Sequence, residues 1–211
     1  MKKIIAILIS TMLFSATAYA GGSHMIGVKI GYGEVEGNAK AYTSGSNAEA
    51  AESNTIETGY GAIFAEANIM DSPFSVGVEY IPFDAVLSTD TASTDSSVTI
   101  SDHTTLYALG VIEVADGISL FAKVGYSEAD LGSVKANANT TVNSQSTSLD
   151  GHVLGAGVQI GSAGGWMVRL AGEVTDYDEV KITTTSNGST SVEKKGDVDT
   201  ETLSISIAKS F

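Results

Sequence analysis

The chain has 211 residues, a net charge of −14 and no cysteine. Such acidity excludes a nucleic-acid binder, whose affinity rests on neutralising phosphates with Lys and Arg. The lack of cysteine excludes disulfides, metal–thiolate sites and thiol nucleophiles.

The first stretch, residues 1–20, has the build of a secretory signal. Lys2 and Lys3 supply the charged region, residues 4–14 the apolar core and Ala18-Tyr-Ala20 the small-residue cleavage site. That core is too short for a spanning helix, which needs roughly 20 residues. Loss of Lys2 and Lys3 takes the net charge from −14 to −16. Residues 21–25 form a short segment, either native or an expression scar, so its His24 carries no functional argument. Residues 26–211 are then one domain.

Beyond residue 25 no apolar run approaches 18 residues, so no spanning helix is expected. Eight alternating segments follow instead, at residues 26–32, 57–64, 74–80, 105–112, 118–126, 152–160, 166–174 and 201–211. Alternation sends successive side chains to opposite faces of a strand. Each segment can extend to the ~9–11 residues that cross a bilayer at a tilt. In the last one Leu203, Ile205 and Ile207 alternate with Ser204, Ser206 and Ala208, and the chain stops on Phe211.

The connections alternate in length. Those at 68–73, 115–117 and 161–165 are short and rich in turn formers; those at 36–55, 84–102, 127–150 and 176–200 are long and polar. When strands run alternately up and down, every second connection lies at the same end. The pattern predicts an all-β fold: an eight-stranded antiparallel up-and-down transmembrane β-barrel, with four long extracellular loops and three short periplasmic turns. Asn187-Gly188, flanked by β-branched residues, is a hairpin signal that continues the last two strands past the membrane, and residues 97–100 extend the fourth.

Aromatic residues sort by end. Tyr32, Tyr60, Tyr80, Tyr107 and Tyr126 are predicted in a belt at the long-loop rim, and Phe64, Phe74, Trp166 and Phe211 in one at the short-turn rim. The apolar sets fix a phase for each strand, placing Ile26/Val28/Ile30, Phe74/Val76/Val78, Tyr107/Leu109/Val111, Leu120/Ala122/Val124, Leu154/Ala156/Val158 and Trp166/Val168/Leu170 toward lipid. The opposite parity points Lys29, Glu57, Glu79, Lys123, Gln159, Arg169 and Glu173 into a lumen whose other residues are mostly Gly and Ser. An eight-stranded barrel is just wide enough for side chains to fill, so the expected lumen is a salt-bridged plug. The rival reading is a narrow channel in which these charges exchange partners.

No catalytic residue, cofactor or metal site is expected. Ser148, Asp150 and His152 are set aside as a triad because strand neighbours alternate faces, and His103 with His152 falls short of the three or four ligands of a metal site. A lipid-modifying enzyme stays a minor alternative. Asp84, Asp90, Asp95 and Asp102 in the second long loop, and Asp176, Asp178, Glu179, Asp197, Asp199 and Glu201 in the fourth, suit a solvated rim or a weak divalent-cation surface.

With this strand and turn rhythm, residues 119–126 (Ser-Leu-Phe-Ala-Lys-Val-Gly-Tyr) and the terminal Phe211, the chain resembles the small outer-membrane β-barrel family that includes outer membrane protein X, the opacity proteins and the barrel domain of outer membrane protein A. The resemblance spans residues 26–211. It implies the outer membrane of a Gram-negative bacterium, contact with its lipid and lipopolysaccharide, and a barrel-assembly machinery that reads Phe211 together with Ile207, Ile205 and Leu203. Lys209 departs from that signal. The glycine-packed, charge-paired lumen and the long loops favour a monomer displaying acidic polar loops to a surface ligand, for adhesion or envelope integrity.

Overall fold

The computed structural model describes residues 24–44, 47–69, 72–91, 94–134, 140–161, 164–186 and 191–211; the signal segment and Asn187-Gly188 lie outside them. Twelve strands follow one another: β1 (His24–Ala39), β2 (Tyr42–Ser44), β3 (Asn47–Glu49), β4 (Glu52–Asn68), β5 (Phe74–Ile81), β6 (Ala85–Thr91), β7 (Thr94–Ala115), β8 (Ile118–Leu131), β9 (Thr140–Gln145), β10 (Ser148–Gly161), β11 (Trp166–Ser186) and β12 (Val192–Ser210).

Eight of them form a ring. Reading around it, β1 pairs with β4, then come β5, β7, β8, β10, β11 and β12, and β12 returns to β1; every pairing is antiparallel. The closing β1/β12 ladder runs unbroken from Met25↔Ser210 to Ala39↔Gly196. Closure follows from the alternation itself. A strand apolar on one face and polar on the other leaves two edges unpaired in an open sheet, and only a closed ring satisfies both.

The other four strands lie in the long connections. β2 and β3 make a hairpin between β1 and β4, β6 folds onto the start of β7, and β9 adds to β11. β11 and β12 stay paired to Thr184↔Val192, past a bulge between Tyr177 and Val180. At the opposite end the turns are tight. Asp116-Gly117 links β7 to β8, and Gly117 adopts φ +69°, a left-handed conformation open to glycine without strain.

The two faces invert the pattern of a soluble protein. Ile26, Val28, Ile30, Leu154, Leu170, Leu203, Ile205 and Ile207 are exposed on the outside, while Lys29, Glu79, Lys123 and Arg169 are buried within. In water, so continuous an apolar surface would be an aggregation site; in hydrocarbon it is the solvated face.

Two strands have the opposite phase to the one expected. Tyr107 and Leu109 are buried in the lumen, and Leu106 and Ile112 face outward. Both faces of residues 105–112 carry apolar side chains, so alternation alone leaves the phase undetermined. Pairing decides it: Leu106 lies opposite Val78, and Ile112 opposite Leu120. In β4, Val28↔Ile63 sets Ile63 toward lipid and turns Tyr60 and Phe64 inward. Glu57 consequently points out, next to Glu34, and accepts a hydrogen bond from the Tyr32 hydroxyl at 2.6 Å.

Placing a charge on the outward face should be costly. Ile205→Arg is expected to lower unfolding stability by about 2–4 kcal/mol, read from urea titrations in lipid vesicles.

Candidate functional site

The centre of the lumen is a ring of four alternating charges. Lys29 Nζ lies 2.6 Å from Glu79 and 3.2 Å from Glu173, and Lys123 Nζ lies 3.3 Å and 3.0 Å from the same two carboxylates. Four strands supply one member each: β1, β5, β8 and β11. A second group lies on the short-turn side. Arg169 donates to both oxygens of Glu66, at 2.6 and 3.1 Å, and to Gln159 Oε1 at 3.1 Å. Tyr107 donates its hydroxyl to Glu66 Oε1 at 2.8 Å.

Three cations thus meet three carboxylates, all buried or nearly so. Charges taken this far from water persist only when paired and hydrogen-bonded. Aromatic faces complete the enclosure: Lys123 Nζ lies 4.4 Å from the centre of the Tyr107 ring, and the Arg169 guanidinium 4.8 Å from that of Phe121. Each ring lies over a glycine of the adjoining strand. A Cβ on Gly77 would stand 2.4 Å from the Tyr107 ring, and one on Gly157 would stand 2.7 Å from the Phe121 ring. Gly27, Gly31, Gly77 and Gly157 are seats for aromatics.

Cavities flank this layer. On the long-loop side one of about 560 Å³ is lined by Tyr60, His103, Tyr177, Val153 and Leu149 among others. On the short-turn side one of about 470 Å³ reaches Glu66, Arg169 and Gln159. Between them, around the ring, about 10 Å³ is free, at the lower limit for a single water.

The family model for the outer membrane protein beta-barrel domain matches residues 6–211. The chain belongs to this family. It is an integral β-barrel protein of the Gram-negative outer membrane. Solved structures of similar fold include the outer membrane protein OprG from Pseudomonas aeruginosa, 10% identical over 92% of this chain and 97% of OprG, with a TM-score of 0.70. Neisserial surface protein A is 12% identical over 91% of this chain and all of its own, with a TM-score of 0.56. Identities this low establish the fold alone. A comparison with curated proteins found no match.

In this outer-membrane barrel the sequence-derived residues divide cleanly. Lys29, Glu79, Lys123, Arg169 and Glu173 come together in the lumen. Glu57 does not, and Glu66 takes the place assigned to it. Glu66 shares parity with Ala62 and Phe64 in β4, two residues past the alternating stretch 57–64. Of the aromatics, Tyr32 and Tyr126 are exposed near the long-loop rim, and Phe74, Trp166 and Phe211 near the short-turn rim. Tyr80 is half-buried and donates to Asp102 at 3.0 Å. Tyr60, Tyr107 and Phe64 leave the belts for the lumen, because Gly31, Gly77 and Gly27 give their rings space there. Leu203, Ile205, Ile207 and Phe211 all face outward and are exposed.

The histidines lie on different faces. His103 is in the lumen, with Nε2 2.8 Å from the Tyr177 hydroxyl; His152 is outside, its ring edge-on to Tyr126 at 5.7 Å. Ser148, Asp150 and His152 share a face, contrary to the reason given for setting them aside, and Ser148 Oγ donates to Asp150 at 3.0 Å.

Carboxylates crowd the rim above Tyr32. Asp199 lies opposite both Asp176 and Glu36. Partial burial, then the charges of Asp176 and Glu36, hold its carboxyl above the usual aspartate range. Lys40, 2.7 Å from Glu179 and 3.1 Å from Asp197, offsets part of this crowding. Its hydrogen bond holds the Glu179 carboxyl below the usual range. The side chains of Asp90 and Asp95 lie outside the described residues.

Breaking the buried pair should be worse than removing it. Arg169→Met is expected to destabilise by about 3–5 kcal/mol, with much of the loss recovered when Glu66→Leu is added, measured by urea unfolding in vesicles. An acid whose folded-state proton affinity is raised destabilises when ionised, and the penalty disappears as pH falls and it protonates. Asp199→Asn should therefore raise the thermal midpoint at pH 7 and leave it unchanged near pH 3.

Proposed function

We propose that this protein is a plugged outer-membrane scaffold that displays acidic, polar loops at the cell surface for adhesion or envelope integrity, without enzymatic activity or cofactor. The observation that carries the reading is the Lys29–Glu79–Lys123–Glu173 ring with about 10 Å³ of free space around it. A hydrated ion passing through would have to part at least one buried pair, at about 3–5 kcal/mol for each partner left uncompensated. With the lumen closed, the long loops are what the barrel presents to its surroundings. Strands carried beyond the membrane by β6, β9 and the β11/β12 hairpin hold parts of those loops in sheet structure, a rigid base of the kind on which binding loops are mounted.

The finer partners follow from the same reading. The signal at residues 1–20 directs export and is cleaved. Phe211, with Ile207, Ile205 and Leu203 at alternate positions before it, presents the strand read by the barrel-assembly machinery. Tyr32 and Tyr126 meet the lipopolysaccharide interface, and the barrel works as a monomer facing an extracellular ligand.

The two flanking cavities favour a second reading, a gated narrow channel, because the charged layer is the barrier between them. Recordings in planar bilayers separate the two. The plugged barrel is expected to be silent at low voltage, whereas steady conductance of the native protein would establish the channel.

A further inference from the structure

Above Ile63 the barrel wall lacks a ladder. β4 pairs with β5 only between Ile63↔Tyr80 and Asn68↔Ser75, although its pairing with β1 continues to Ala39↔Glu52. Among the described residues, the β5-facing edge of 52–62 has no strand partner. The cause is on the other side of the gap. β5 ends at Ile81, and the next residue is Pro82, which has no N–H to offer a ladder. When pairing resumes in β6, it is with β7 and not with β4.

The frame of this gap is bare. The outward positions of β4 here are Gly59 and Gly61, and the exposed Phe83 ring stands 3.6 Å from where a Gly61 Cβ would be. The register sets its height, since Tyr32 lies opposite Gly59 and Ile30 opposite Gly61. Both Tyr32 and Ile30 are exposed on the outer face, so the gap opens at the outer membrane interface. Inward it leads into the 560 Å³ cavity, whose lining includes Tyr60, Gly61, Ile81 and Phe83.

We propose that this cavity is a binding pocket for neutral single-chain amphipaths, long-chain alcohols being the simplest, which reach it sideways from the lipid phase between β4 and the Pro82 segment. Its walls are largely apolar, with Leu149, Val153 and Val198 among them, and its volume lies within the 300–1,000 Å³ range of ligand pockets. Its floor is the charge ring, neutral as a unit, so a charged head seated on the floor would find no free counter-ion, and the carboxylates of Glu34 and Asp84 elsewhere in the lining repel an anionic head. A hydroxyl has two uses. His103 lines the cavity opposite Ile81 beside the gap; its buried Nδ1, without a partner among the described residues, reaches the cavity on rotation of the ring, and an imidazole nitrogen can give or accept one hydrogen bond. Backbone groups along the unpaired β4 edge are costly in hydrocarbon and can bond the same head.

The pocket and its side access extend the scaffold reading without depending on whether the lumen conducts. The test uses the whole barrel in liposomes containing a fatty alcohol with a diazirine in its tail, irradiated and mapped by mass spectrometry. Labelling is expected at Leu149 and Val153 in the cavity as well as at outward Ile30. Because the chain has no cysteine, Gly61→Cys with Phe83→Cys can be bridged by a reducible bifunctional thiol reagent. Bridging should lower cavity labelling at least tenfold, leave Ile30 labelling unchanged, and be reversed by reductant. Val153→Trp, which fills the pocket, should lower labelling of Leu149 by a similar factor. Faster migration of the unboiled protein on a gel verifies folding of each variant. Labelling confined to outward residues overturns the pocket; cavity labelling unaffected by the bridge overturns the side access. Equal labelling by the matching alkylammonium overturns the preference for a neutral head.

Discussion

A chain crossing hydrocarbon has to pair every backbone N–H and C=O with itself, because the solvent offers no substitute. In this protein that requirement is met by eight strands whose last, β12, returns to the first. Much else is a consequence of the ring. Strands of alternating direction place the tight turns at one end and the long, strand-bearing connections at the other. The ring also fixes the interior, since eight strands enclose a space that side chains can fill.

How that interior is filled depends on electrostatics and on shape together. Lysines, an arginine and three glutamates cancel in pairs, and Tyr107 and Phe121 cover the cations from the side. Glycines on adjoining strands give those rings somewhere to lie. A charged layer of this kind is tolerated because each member is held by several others, and it divides the lumen into separate chambers. The stretch of wall beside Pro82, where the β4/β5 ladder lapses among the described residues, adjoins the larger chamber. Function, on this view, resides in the two places where the barrel departs from a regular filled cylinder: the long loops and the gap.

Much of this was legible in residue order. Strand number, the alternation of turn lengths, and the outward sets on β1, β8, β10, β11 and β12 follow from period-two patterning, because the outward face of each of those strands is continuously apolar while its inward face is broken by Gly, Ser or charged residues. Five of the six lumen charges were legible for the same reason. Glu66 was missed because the phase of β4 was taken from Glu57 and its glycines, although the strand continues to Asn68. Residues 105–112 misled in another way: Leu106 and Ile112 are as apolar as Tyr107 and Leu109, so neither face identifies itself. The assignment of Tyr60, Tyr107 and Phe64 to membrane belts failed because a tyrosine or phenylalanine suits an interface and a packed lumen equally well. Only an opposing glycine distinguishes them, and that is known once the register is known.

The amino-acid sequence by itself determined the fold class, the number of crossings and which end carries the loops, since these rest on local periodicity and turn chemistry that each segment carries alone. Tertiary structure decided which carboxylate faces Arg169, which rings cap the lysines and where the wall is left unpaired. Those outcomes depend on which residues of separate strands stand opposite one another, and a shift of one residue in any ladder would reverse every side chain in it.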